Sequence, residues 1–171
     1  MNIKNLQIDL IKNAEYCEKH GENLGFFYDE RDGYTYFSDG HWIIKTDHAV
    51  YVNLDKVAYH ADLANCYENA AAADHAEVTM SCKAEYDNNW SCATVRVYRE
   101  NNGAYHVVND DFFSYFLKSD KPIVTALCEN QIRPHINPLF VETSSGDGMM
   151  ILPVNVDERK VANLEKRGYA A

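Results

Sequence analysis

The sequence contains no apolar run close to the roughly 20 residues that a membrane-spanning helix needs. Its first ten residues carry acids and amides, and they lack the apolar stretch of a secretory signal peptide. We therefore expect a protein that works in the cytoplasm and has no membrane partner.

Cysteine is sparse and irregularly spaced. The five cysteines make an odd number and contain no Cys-x-x-Cys pair. The seven histidines are scattered and form no paired motif of the structural zinc type. We expect reduced, mostly buried thiols, no metal site and no cofactor.

Motifs of the common enzyme classes are missing too. There is no Gly-rich phosphate loop, no Gly-x-Ser-x-Gly nucleophile elbow and no His-Glu-x-x-His zinc motif. Adjacent acids such as Asp110 and Asp111 suit acid–base catalysis, but at a helix start they more often interact with the helix dipole. Cys92 or Cys128 could pair with a distant histidine, and the spacing does not decide this. We predict no enzymatic activity, with a small enzyme of unrecognised type as an alternative.

Basic residues are few, since 16 lysines and arginines stand against 26 aspartates and glutamates, giving a formal net charge of −10. Such a charge repels the phosphate backbone, so nucleic-acid binding requires a locally basic face. Apolar residues are plentiful, with 46% hydrophobic and 12% aromatic side chains. In a chain of 171 residues this composition predicts one globular domain that is rich in β-sheet.

The first third of the chain reads as a helix followed by strands. Residues 5 to 20 have the three- and four-residue apolar steps of an amphipathic helix, in which Ile11 widens the buried stripe. Gly21 follows as a stop signal. Residues 23 to 55 predict two or three strands with a hairpin turn at residues 29 to 33, and the last strand covers the run AVYVNL.

The remainder alternates between helices and strands, which predicts an α+β fold with mostly antiparallel sheet and two short amphipathic helices. The second of these two helices carries a buried stripe of Phe112, Phe113, Phe116 and Leu117. The predicted order is a helix over residues 56 to 76, a hairpin over 76 to 98 that turns at Asp87, Asn88 and Asn89, a strand over 104 to 109, a helix over 110 to 119, three strands between 121 and 156, and a charged C-terminal helix or frayed tail.

Three segments share an order that is known from one protein family. Ser38, Asp39, Gly40 and His41 precede the apolar pair Trp42 and Ile43. The segments VVNDDFFSYFLKS and MMILPVNV follow later in the chain. In their order along the chain and in the predicted secondary structure around them, the three segments resemble one domain of the bacterial DNA polymerase sliding clamp, the β-clamp family.

The resemblance implies a single DNA-clamp-like domain that is built from two similar halves. These halves would be residues 1 to 55 and 104 to 156, with a helix-hairpin insertion over 56 to 103 and a tail over 157 to 171. The step Asp39-Gly40-His41 would be a family-like bend within a continuing strand, because glycine accepts unusual backbone angles. The alternative is a tight turn between two short strands.

Two sets of site residues follow from the resemblance. Clamp helices contact DNA phosphates through lysine and arginine, which implies DNA-facing roles for Lys12, Lys19, Lys118 and Lys121. The clamp family also binds partner peptides beside its last strand, which implies a peptide groove at Leu152, Pro153 and Val154. The alternatives are ordinary solvated helix faces and core packing with proline at a sheet edge.

The expected function is that of a non-catalytic clamp-like module, in DNA replication or in a related protein-interaction role. A shortened replication protein of this kind would suit a phage or a mobile element. A protein or peptide partner is expected, and DNA encirclement would require a homo-oligomer because one domain cannot close a ring. The alternative is a stand-alone protein-binding domain without a DNA function.

Overall fold

Residues 1 to 87, 92 to 130 and 132 to 169 are described by the computed structural model, apart from the side chain of Cys92. They form four α-helices, three short 3₁₀ helices and ten strands. The assigned strand pairs are antiparallel with one exception, so the predicted α+β fold with mostly antiparallel sheet is confirmed.

The chain separates into two compact units whose segments interleave. Unit 1 contains Met1–Ala72, Ser114–Ile123 and Glu142–Met150, and unit 2 contains Ala73–Phe113, Val124–Val141 and Ile151–Ala171. The predicted division into two matching halves and an insertion stays a prediction.

Unit 1 begins with helix α1, which covers Ile3–His20. Leu6, Leu10 and Cys17 are buried on one side of it, at the three- and four-residue steps of the sequence. The helix ends at Gly21, whose positive φ of 68° lets its N–H donate to the carbonyl of Cys17. The predicted first helix is confirmed, with two more residues at its start.

The strands that lie wholly or mostly in unit 1 are β1 (Phe27–Arg31), β2 (Tyr34–Ser38), β3 (Trp42–Thr46), β4 (Tyr59–His60) and β10 (Gly148–Ile151). Their hydrogen-bonded order is β4-β1-β2-β3-β10. Asp32 and Gly33 connect β1 to β2 with positive φ angles of 53° and 82°, as a two-residue hairpin turn of the mirror-image type requires.

The Asp39-Gly40-His41 step is the turn that joins β2 to β3. The two strands run antiparallel, with Ser38 opposite Ile43, so no single strand continues through this step. Gly40 has a φ of 88°, and its N–H donates to Ser38 Oγ. The structure therefore has the tight turn between two short strands.

The predicted strand AVYVNL and the uninterrupted helix over residues 56 to 76 are both wrong. The chain forms α2 (Leu54–Val57), then β4, then α3 (Leu63–Ala71). The backbone breaks between the two helices because the N–H groups of Tyr59 and Ala61 donate to carbonyls of the β1 segment. The Asp29 carboxylate then accepts the N–H of Ala64 and so satisfies the start of α3.

The predicted hairpin is in unit 2 and consists of β5 (His75–Asp87) and β6 (Cys92–Glu100), which together extend slightly beyond the predicted range. The other strands that lie wholly or mostly in this unit are β7 (Tyr105–Asn109), β8 (Ile123–Leu127) and β9 (Leu139–Glu142). The order of all these strands is β9-β8-β5-β6-β7, and β8 begins with a residue of unit 1. Asn88 and Asn89 of the predicted turn lie outside the described residues.

The predicted helix over residues 110 to 119 is two 3₁₀ helices, Asp110–Tyr115 and Lys118–Asp120. Phe113 and Tyr115 are buried, whereas Leu117 is 44% exposed, so the four-residue stripe was wrong in part. Arg96 and Lys83 both bind the Asp110 carboxylate at the start of the first of these 3₁₀ helices.

Helix α4 covers Glu158–Arg167 and confirms the predicted charged C-terminal helix. Asp157 caps it by accepting the N–H of Lys160. Val161 and Leu164 pack into a buried cluster with Val95, Val97 and neighbouring residues of unit 2. No helix in the described part of the chain is long and apolar enough to cross a membrane.

Candidate functional site

An open groove of about 540 Å³ runs along α1 in unit 1. One wall is α1, and the other is the segment that contains α2 and β4. We call this feature the α1–α2 groove. It is lined by Ile11, Ala14, Glu15, Cys17, Glu18, Glu22, Leu24, Lys56, Val57 and Tyr59.

The groove combines a buried floor with exposed apolar edges. Cys17 and Val57 are buried, and the Cys17 thiol donates to the carbonyl of Asn23 at 3.1 Å. Ile11 is 40% exposed and Tyr59 is 44% exposed. Phe27 packs against the Tyr59 ring at a centroid distance of 6.3 Å, which supports this ring at the sheet edge. The groove therefore presents apolar surface that its own unit does not cover.

The α1 wall is acidic. Glu15 and Glu18 are three residues apart on α1, a spacing that places both on one helical face, and Glu22 lies just beyond the end of the helix at Gly21. All three are exposed, and none forms an ion pair with a described residue. Lys56 is the cation of the groove lining and lies on the opposite wall. The residues that line the groove therefore carry three carboxylates against one ammonium group, above an apolar floor.

A second polar cluster in unit 1 is centred on Asp147, which is 1% exposed. Thr46 donates to its Oδ1 at 2.7 Å, while the Met1 ammonium group and Ser145 donate to its Oδ2 at 3.0 Å. His48 Nε2 lies 3.2 Å from Oδ2. Burial alone would raise the pKa of Asp147, but the hydrogen bonds from Thr46 and Met1 hold that pKa below its usual value.

Asp47, His48 and Asp147 offer three ligand atoms within 4.8 Å of one another, so they are the residues that could hold a metal ion. The oxygens of Asp147 already accept hydrogen bonds from the hydroxyls and the ammonium group. The Met1 ammonium group lies 3.0 Å from Asp147 Oδ2, and its positive charge would repel a metal ion bound to the same oxygen. We interpret the cluster as structural, and the sequence-based expectation of no metal stays a prediction.

Unit 2 contains a buried histidine–carboxylate contact beside a smaller cavity of about 280 Å³. His106 is fully buried, with Nε2 2.8 Å from Glu100 Oε1 and Nδ1 3.3 Å from the carbonyl of Asn137. Cys128 lines the same cavity, and burial together with the Glu100 carboxylate raises the pKa of its thiol. A raised pKa is the opposite of what a nucleophilic cysteine needs.

None of the four lysines predicted from the clamp resemblance lines the α1–α2 groove, although Lys12 and Lys19 belong to α1. Lys12, Lys19, Lys118 and Lys121 are exposed and belong to unit 1. None of these lysines forms an ion pair with a described residue. Whether they contact DNA stays a prediction.

The predicted peptide groove has both exposed and covered residues. Leu152 is 44% exposed, whereas Pro153 and Val154 are half-buried. The N–H of Val154 donates to the carbonyl of Val107, and its side chain packs against the buried cluster of unit 2. Peptide binding by these residues stays a prediction, and none of them lines the α1–α2 groove.

Comparison with protein-family models, with curated proteins and with solved structures found no match for this chain. Function is therefore inferred from the chemistry of these sites. The Asp147 cluster and the His106–Glu100 pair are buried, whereas the α1–α2 groove is open and has both apolar and charged surface.

Proposed function

We propose that the protein is a non-catalytic module that binds a positively charged, apolar segment of another protein in the α1–α2 groove. The supporting observation is that exposed Ile11 and Tyr59 share one concave surface with the unpaired carboxylates of Glu15, Glu18 and Glu22. Scattered apolar side chains are normal on protein surfaces, but apolar side chains that line one groove indicate an interaction site.

The buried polar groups support a binding role over catalysis. Within the described part of the chain, every buried side-chain nitrogen and oxygen has a hydrogen-bond partner. The carboxylates of Asp147 and Glu100 are held by neighbouring donors inside the fold. A catalytic group needs free hydrogen-bonding capacity toward a substrate.

The charge of the protein supports a different protein as the partner. With a net charge of −10, two copies repel one another at long range, and a basic partner is attracted. The chain has a basic helix of its own in α4, but Val161 and Leu164 of that helix are buried in unit 2. Within residues 1 to 87, 92 to 130 and 132 to 169, a second copy therefore has no free basic, apolar helix to offer.

Replacing Ile11 by aspartate should abolish most binding in the groove. A charged side chain at an apolar anchor position removes buried contact area and repels the apolar face of the ligand, so we expect at least about a tenfold loss of affinity. The ligands are peptides selected from a random display library on the immobilised protein, and affinity is measured by fluorescence anisotropy.

The matched control is Ile132→Asp, since Ile132 is 92% exposed and lies in unit 2. We expect the selected peptides to bind this variant and the unchanged protein equally well. Two results contradict the proposal: a selection that yields no enriched peptide, or enriched peptides that bind Ile11→Asp unchanged.

A clamp-like module that acts on DNA is the second candidate. It is favoured by the exposed, unpaired ammonium groups of Lys12, Lys19, Lys118 and Lys121. Encirclement requires self-association, and several phosphate contacts make binding steeply salt-dependent. Duplex-DNA binding that weakens with salt, together with an oligomeric mass in solution, would favour this candidate over the first. The absence of binding at low salt would remove it.

A further inference from the structure

The nature of the bound segment can be inferred from the groove, and this inference rests on the proposed function. We infer that the ligand is a basic amphipathic α-helix that lies alongside α1. Its apolar face contacts Ile11 and Tyr59, and its lysine or arginine side chains face the carboxylates of α1.

The length of the acidic wall suits a short helix. The lining residues of α1 begin at Ile11, and Glu22 follows directly after the helix end at Gly21. At 1.5 Å per residue this wall is roughly 15 Å long, which equals about three turns of a helix that runs beside it. A partner segment of about ten residues is enough to occupy it.

The spacing of the charges also suits a helix. Glu15 and Glu18 recur with the helical period, at a rise of roughly 4.5 Å along the axis, and Glu22 follows the end of α1 at Gly21. A neighbouring helix with cations three or four residues apart can place one cation opposite each of the two helical carboxylates. Its i, i+3, i+4 and i+7 apolar side chains then point together into the floor, as in other helix-in-groove complexes.

The opposite wall gives the ligand an orientation. Lys56 is exposed there and forms no ion pair with a described residue. It repels a cation on that side of the ligand and favours an acidic side chain. A helix with cations on one flank and an acid on the other therefore fits in one orientation about its axis, and this asymmetry supplies specificity.

The inference is tested with synthetic peptides of about 14 residues, long enough to cover the wall. One presents leucines on a helical stripe and lysines on the adjoining flank. The second has the same composition in scrambled order, and the third carries a central proline that breaks the helix. We expect the first to bind the unchanged protein at least about tenfold more tightly than either of the others.

Four results overturn the inference. Equal affinity of the ordered and scrambled peptides would show non-specific charge attraction. Equal affinity of the proline peptide would show that the ligand need not be helical. No binding of the ordered peptide, or unchanged binding to Ile11→Asp, would show that a basic helix is not the ligand of this groove.

A charge exchange tests the pairing with α1. The variant Glu15→Lys/Glu18→Lys should weaken binding of the basic peptide by roughly tenfold, and it should bind a peptide whose lysines are replaced by glutamate more tightly than the unchanged protein does. Glu129→Lys, at an exposed position in unit 2, is the control and should change neither affinity. Failure of the exchange to improve acidic-peptide binding contradicts the pairing.

The two proposals fail in distinguishable ways. If library peptides depend on Ile11 but are uncharged or extended, the basic-helix inference is wrong and the proposed function stands. If no library peptide depends on Ile11, both are wrong.

Discussion

Asp147→Ala should destabilise the protein by about 3 to 5 kcal/mol, the usual result of removing one partner from a buried ion pair. The Asp147 side chain is fully buried and is the acceptor for Thr46, Ser145 and the Met1 ammonium group. Its removal leaves the buried Thr46 hydroxyl without its acceptor and takes away one of the two carboxylates, Asp147 and Asp120, that pair with the Met1 ammonium group. An unsatisfied buried donor carries the full desolvation penalty. Urea unfolding at neutral pH measures the change in the free energy of unfolding.

The same carboxylate should make stability depend on pH in the acid range. The pKa of Asp147 is lowered in the folded state, against about 3.9 in an unfolded chain. The stabilisation from its ionised form is therefore fully present above roughly pH 5, and it is lost as the pH falls through the folded-state pKa. The difference in unfolding free energy between the unchanged protein and Asp147→Asn should shrink as the pH is lowered.

Glu129→Gln is the control for both measurements, because Glu129 is exposed. We expect it to change stability by less than about 0.5 kcal/mol. A similarly small effect of Asp147→Ala, or a gap to Asp147→Asn that stays constant down to acid pH, would contradict the structural role that we assign to this cluster.

Local sequence signals predicted the elements that local interactions determine. The apolar steps of α1 and the stop at Gly21 are both present in the structure. The turn at Asp32 and Gly33 follows from the mirror-image hairpin geometry that Asp-Gly favours. The errors arose where a distant partner decides the structure. Helix α3 begins where the β1 residue Asp29 accepts the N–H of Ala64. The two residues are far apart in the sequence, so the residues around Ala64 do not predict this contact.

The candidate site was only half visible in the sequence for the same reason. The apolar steps of α1 include Ile11 in the buried stripe, but periodicity does not show how far the neighbouring elements cover that stripe. Ile11 is 40% exposed, and the opposite wall includes Val57 of α2 and Tyr59 of β4, the strand that pairs with β1. The visible signal was an isoleucine followed by glutamates at helical spacing.

The positions of charged side chains likewise divide into those that neighbouring residues determine and those that distant residues determine. Glu15 and Glu18 are close in sequence, and their common face can be predicted from helical geometry. The pairing of Glu100 with His106 depends on the strands β6 and β7 running antiparallel, and the Asp147 cluster joins segments that are far apart in the chain. Burial of these acids was therefore not predictable from composition, although it determines which carboxylates are structural and which remain available for a partner.

The His106–Glu100 pair carries the second large prediction. His106→Leu should destabilise the protein by about 1 to 3 kcal/mol, because it removes the imidazole from the nearly buried Glu100 carboxylate, which among the described residues keeps only the Asn102 amide as a partner. The contact of the imidazole with the Asn137 carbonyl is lost as well. The volume change is small, so the loss should come from the lost polar contacts rather than from a cavity. Chemical unfolding of the purified variant measures the effect.

The double variant Glu100→Leu/His106→Leu separates charge pairing from simple disruption. Replacing both members of a buried pair by apolar side chains removes the unpaired charge, so the double variant should be more stable than His106→Leu alone. His41→Leu is the control, since the His41 side chain is 74% exposed, and it should leave the free energy of unfolding nearly unchanged. A double variant whose loss equals the sum of the two single losses would show that the two side chains act independently, and the contact between them would then not stabilise unit 2.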